Sequence, residues 1–147
     1  MEVIELAQKL KTLSYVILRS DFKISEGVKH ASINFAELEL DAGLNCEFVF
    51  SETDDDLLPF NTHTHVKIEA TQSSSEEDAE PKKIFQFELE FNTSFVIELG
   101  DTSEDEMKQS LLDNEWIVRR RNAIISHFLG ESVLQKTPFK SIRLPMN

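Results

Sequence analysis

Residues 85–99, FQFELEFNTSFVIEL, constrain the fold more than any other stretch of this chain. Phe85, Phe87, Leu89 and Phe91 share one parity, and Gln86, Glu88, Glu90 and Asn92 share the other. Successive strand residues point to opposite sides, so the pattern codes a strand with one apolar and one acidic face. The chain carries eleven Phe against one Trp and one Tyr, and four of the Phe lie here. Such a stripe either fills a core or forms a surface that other proteins touch.

The rest of the chain supplies partners for that strand. Val3, Ile4, Leu6, Ala7, Leu10 and Leu13 recur at three- and four-residue spacing and predict an amphipathic helix over residues 1–13. YVILRSDFKIS, from Tyr15, predicts a first strand, bent or bulged near Arg19–Asp21. INFAELEL (Ile33–Leu40) predicts a strand, Ala42–Gly43 a turn, and the alternating Leu44, Cys46, Phe48 and Phe50 the next strand. SETDDDLLPFN (51–61), acidic and containing Pro59, predicts a loop, and HTHVKIEATQ the strand after it. SSSEEDAEPKK (73–83) predicts a solvated loop. A bend or bulge at Asn92–Ser94 would bring Phe91 and Phe95 to the edge of a groove. Gly100 closes the sheet region, and residues 101–130 predict helices capped by Thr102 or Ser103, broken near Leu112–Asn114 and ended by Gly130. Ile117, Ile124 and Phe128 form one stripe on them, with Val118, Ile125 and Leu129 beside it. Helix, antiparallel strands, then helices is an α+β order.

Size and charge narrow the function. A chain of 147 residues predicts one domain that buries roughly two-thirds of its unfolded surface without a staple. Cys46 is the single cysteine, so no internal disulfide forms. Glu2 and Glu5 stand where a signal peptide would carry Lys or Arg, and no run reaches the roughly 18 apolar residues of a membrane helix. The expectation is a cytoplasmic protein that does not insert into membranes. A formal charge of −12 repels phosphate backbones and argues against nucleic acid as a partner. The same charge keeps a protein soluble if it must expose apolar surface.

No catalytic pattern stands out, and nothing singles out a pair among the many carboxylates. His63 and His65 fall on one side of a strand and define the alternative of a small ligand- or metal-binding α+β domain, but no Cys or third His lies nearby. Ser126 and His127 are adjacent on a helix and diverge by roughly 100°, poor geometry for a nucleophile and its base. Cys46 alternates with Phe48 and reads as core. Four Gly leave no room for a glycine-rich phosphate loop. The expectation is no enzyme, no metal and no cofactor. Arg119–Arg120–Arg121 should pair with surrounding Glu and Asp, and Ser73–Ser75 belong to a polar loop.

Several short motifs resemble the SecB chaperone family. Its pattern F-x-x-E-V-x(5)-F-x-I followed by glycine aligns with Phe85, Glu88, Leu89, Phe95, Ile97 and Gly100. An A-R-E-x-I-like helix core is answered by Arg121, Ala123 and Ile124, and the family's closing turn by Pro138–Phe139 and Pro145–Met146–Asn147. The chain departs from the family between its helices, where DNEWIVRR carries no Pro, and after Asn147, where an extension and acidic tail are missing. These departures are similar to the SecB-like chaperones of toxin–antitoxin–chaperone modules. The resemblance implies a four-stranded antiparallel sheet with C-terminal helices on one side. It also implies a homotetramer built as a dimer of dimers, and ATP-independent holding of unfolded or nascent client protein, foremost an antitoxin. Phe87, Phe91, Phe95, Ile97, Trp116 and Phe128 are the expected client-binding residues, with Phe91 and Phe95 facing the client and the earlier Phe anchoring the sheet. Phe87 and Glu88 match positions near the family's contact with the Sec export ATPase, the partner in an alternative export role.

Overall fold

The computed structural model of the chain describes residues 2–29, 33, 35–73, 80–139 and 144. Along it run α1 (Val3–Lys9), β1 (Leu10–Ile24), a 3-10 turn (Phe35–Glu37), β2 (Leu38–Phe50), β3 (Leu57–Gln72), β4 (Lys82–Glu98), α2 (Glu104–Asp113) and α3 (Glu115–Leu134). The strands form one antiparallel sheet in the order β1-β4-β3-β2. This is the expected α+β fold with four strands and C-terminal helices. Residues 74–79 of the polar loop and the Pro145–Met146–Asn147 motif lie outside the described residues.

Element boundaries differ from expectation where pairing outweighs local pattern. The first helix stops at Lys9, not Leu13, because Leu10 is already extended and paired with Ile97 of β4. Ala42–Gly43 is no turn: β2 runs through it, pairing Ala42 with Ile68 and Gly43 with Lys67. The reversal comes at Asp54–Leu57, which exchange two backbone bonds of 2.9 Å around Asp55 (φ 49°) and Asp56 (φ 69°). Aspartate tolerates this left-handed geometry, so the hairpin needs no glycine. Pro59 consequently lies inside β3. Its carbonyl accepts from Ser51 N at 3.0 Å, and its missing N–H faces that same side, past the last β2 pair, Phe50–Phe60. Irregularities in β1 fall at Leu13 and Leu18, which have no partner on β4. The second adjoins the expected bend at Arg19. Asn92–Ser94 in β4 is not kinked, and each of its residues has a direct partner on both flanking strands.

The odd-numbered row of β4 from Phe85 to Ile97 is apolar except at Thr93 and is buried throughout, as is the even-numbered row of β3 from Leu58 to Ala70. The helices cover this face. Ser103 caps α2 by accepting from Glu106 N at 3.2 Å, and Asn114 separates α2 from α3, as the sequence predicts. On α3 the buried residues are Ile117, Val118, Asn122, Ala123, Gly130 and Leu134. The expected stripe fails at Phe128, which is 66% exposed. Gly130 does not end the helix either. It sits inside α3 because a Cβ there would collide with Leu144 Cδ1 and approach Phe87 to 3.5 Å.

A polar layer divides the core. Asn122, fully buried, accepts from Thr93 Oγ1 at 2.7 Å and donates to Thr62 Oγ1 at 2.9 Å and Cys46 Sγ at 3.4 Å. On one side lie Leu6, Leu10, Leu58, Phe60, Phe95, Ile97, Met107, Leu111 and Val118. On the other lie Val66, Ile68, Phe85, Phe87, Leu89, Phe91, Leu134, Phe139 and Leu144. Each buried large side chain contributes about 1.5–3 kcal/mol, and the satisfied amide fixes how α3 seats on the sheet.

Candidate functional site

The inward row of β2 reads Leu38, Leu40, Ala42, Leu44, Cys46, Phe48 and Phe50. Ala42 is the shortest side chain of this row, and over it the sheet and α3 do not close. The result is a cavity of about 440 Å³, open to solvent, floored by Ala42, Gly43, Leu44, Val66 and Ile68 and bounded at one end by Leu144. Trp116, Arg119, Arg120, Ala123, Ser126 and His127 make its wall. Their three- and four-residue spacing puts them on one side of α3.

The wall is cationic and the floor apolar. Arg119 donates to Leu44 O at 3.1 Å across the groove mouth and lies 3.7 Å from Glu115. Arg121 turns away from the groove to the N-terminal segment, donating to Leu10 O at 2.6 Å and Ala7 O at 2.8 Å. Its partial burial works against its charge. Arg120 has no partner among the described residues. The arginine run therefore does not pair mainly with carboxylates, as its acidic surroundings suggest. Ser126 Oγ donates to Ala123 O at 2.8 Å, so serine and histidine diverge as expected. His127 rests edge-on against Phe128, 5.7 Å between centroids, and its buried Nδ1 lacks a hydrogen-bond partner among the described residues.

The sequence-predicted client residues separate into two sets. Phe87, Phe91, Phe95 and Ile97 are at most 1% exposed, sealed between sheet and helices, so Phe91 and Phe95 do not face outward. β4 is a central strand, and its apolar side is the side the helices cover. Trp116 is 56% exposed and stands in the groove wall, whereas Phe128 points outside the groove. Phe87 and Glu88, the matched docking pair, project to opposite faces, and Glu88 alone is reachable. The groove floor is what residue reading missed; its signal is alanine at position 42, the shortest side chain of the alternating row.

The uncovered face of the sheet carries the histidines. His65 Nε2 lies 3.3 Å from Glu88 and His63 Nε2 3.4 Å from Glu90. Gln86 donates to Glu88 at 2.7 Å, and Arg19 reaches Glu88 at 3.4 Å and Glu90 at 3.7 Å. Among the described residues no group of three or more His, Cys, Asp or Glu is placed to hold a metal ion. The hydrogen bond from His65, aided by Arg19, holds the Glu88 carboxyl below the ordinary carboxylate range, and Lys83 with Lys67 does the same to Glu69. A depressed folded pKa gives stability that is present above the ordinary range and is lost as pH falls through the folded value. Denaturant midpoints should therefore drop on acidification below about pH 4. Glu88→Gln should lower the midpoint at neutral pH, with the gap to wild type closing in acid. A gap that persists in acid would exclude this linkage.

Edge strand β1 exposes a second apolar surface. Leu13, Tyr15, Val16, Ile17 and Leu18 are each between 46% and 62% exposed. Among the described residues no helix is long and apolar enough to cross a membrane.

No protein-family model matches the chain. No curated protein matches it either. Among solved structures, it is similar to a SecB-like chaperone of Mycobacterium tuberculosis in complex with a ChAD peptide from the HigA1 antitoxin. The TM-score is 0.55 at 14% identity, covering 98% of this chain and 95% of that one. A protein of unknown function from Streptococcus agalactiae matches at a TM-score of 0.33 and 9% identity, over 81% of this chain and 88% of that one. With a TM-score above 0.5 over nearly the full length of both chains, the fold of this chain is SecB-like.

Proposed function

We propose that this chain is an ATP-independent holding chaperone. It takes unfolded or partly folded client protein, foremost the antitoxin of a toxin–antitoxin–chaperone module, into the groove beside α3. The observation that carries this reading is that open apolar groove, walled by Trp116, on a fold similar to that of a chaperone bound to an antitoxin peptide. Client side chains buried there contribute about 1.5–3 kcal/mol each before ordering costs, so several modest contacts suffice. Nothing in that process breaks a covalent bond or consumes a nucleotide.

The assembly that suits this role is the homotetramer. An apolar edge strand with unpaired backbone groups associates or aggregates unless covered, and a second copy covers the β1 surface of Leu13–Leu18. Delivery to the Sec export ATPase keeps only Glu88 of its two docking residues accessible, which supports antitoxin protection over export.

The test is suppression of light scattering from an aggregating unfolded protein at near-stoichiometric ratios without nucleotide. Ala42→Trp, which fills the groove from an exposed strand position, should abolish suppression and leave the denaturation midpoint and the solution mass unchanged. A wild-type chain that suppresses nothing and sediments as a monomer would sink the proposal.

A further inference from the structure

The groove has a charge that the rest of the protein does not. The chain carries 27 acidic residues against 15 basic ones, yet two arginines and a histidine line the groove and, among the described residues, no carboxylate does. From these observations we infer that the groove selects extended client segments that carry a carboxylate among apolar side chains. This inference rests on the groove being the client site.

The three side chains are differently committed. Arg119 spends one nitrogen on Leu44 O and lies at 3.7 Å from Glu115, longer than a hydrogen bond. Arg120 has no partner among the described residues, and Nδ1 of His127 is buried without one. A guanidinium presents a planar fork that matches a carboxylate with two parallel hydrogen bonds. Beside an apolar floor that interaction is stronger than in open water. An incoming segment can thus place apolar side chains against Leu44, Val66 and Ile68 and one carboxylate against Arg120.

The overall charge of −12 opposes an acidic ligand, so the two effects must be weighed by range. Exposed charges are screened beyond about 8 Å at physiological ionic strength. The scattered carboxylates then slow the approach, while the local arginines set the affinity once the segment is seated.

Trp116 is the single tryptophan and stands in the groove wall, so its fluorescence reports occupancy directly. The probes are three short, end-capped peptides of alternating Leu and Val that differ only in a central Glu, Gln or Lys. The Glu peptide should bind the full-length chain about tenfold more tightly than the Gln peptide, the scale of one charge-assisted hydrogen bond. Added salt or Arg120→Gln should shrink that gap to about twofold. Equal binding of the Glu and Gln peptides, or preference for Lys, overturns the inference and leaves the groove as client site. Binding of none overturns both. If Ala42→Trp changes the solution mass, a second copy occupies the groove, and both fail as well.

Discussion

Phe95→Ser is expected to unfold the protein, not to yield a folded chain with weakened client binding. Phe95 is 1% exposed and stacks on Phe60 at 5.1 Å and 17°, and Phe60 in turn stacks on Phe48 at 5.9 Å and 7°. These rings form one aromatic row across β4, β3 and β2. Truncating a buried Phe costs about 3–5 kcal/mol, and a stranded hydroxyl adds about 1–3. Against a net stability of about 5–15 kcal/mol for a typical domain, most of the folding free energy is removed. Far-UV circular dichroism and denaturant titration measure this directly. A folded Phe95→Ser chain with a wild-type midpoint would show that the ring is not core. The contrast with Ala42→Trp is diagnostic, since that substitution should remove client holding and spare the fold.

Asn122→Leu is the second large expected effect. The amide serves Thr93, Thr62 and Cys46 at once, so an apolar replacement of similar size strands two buried hydroxyls. Each stranded hydroxyl costs about 1–3 kcal/mol. Removing both partners as well, in Asn122→Leu/Thr62→Val/Thr93→Val, should restore most of the loss, because a buried polar network replaced whole by apolar groups is nearly neutral. The two midpoints, compared in one denaturant series, decide the matter. If the triple variant is no more stable than the single one, the cost lies in packing and not in stranded hydroxyls.

Both expectations bear on what the residues alone reveal. The alternation from Phe85 to Phe91 correctly codes a half-buried strand, because strand periodicity survives any tertiary context. Periodicity does not say how much helix is available to cover the oily face. That is why Phe91 and Phe95 read as client surface and prove to be core. Ala42–Gly43 reads as a turn because small residues favour reversals, but the real reversal uses Asp55 and Asp56, whose left-handed conformations leave a weaker signal. Gly130 reads as a stop, whereas the helix needs it for the approach of Leu144, which lies 14 positions further along the chain. The groove was illegible for a related reason: it is made by a side chain too short to fill a gap between elements that meet only in the folded molecule. The junction at Asn114 and the cap at Ser103 were legible because local residues decide them.

The polar layer around Asn122 also bears on how such a chain can change over generations. Val66, Ile68 and Leu144 of the groove belong to one apolar half, and α1, α2 and the row ending in Phe95 belong to the other. Substitutions without shared partners combine additively in stability. The groove half can therefore be repacked over generations without loosening the half that anchors the N-terminal helix. The lining of the groove and the integrity of the rest of the core are separately heritable in one small chain.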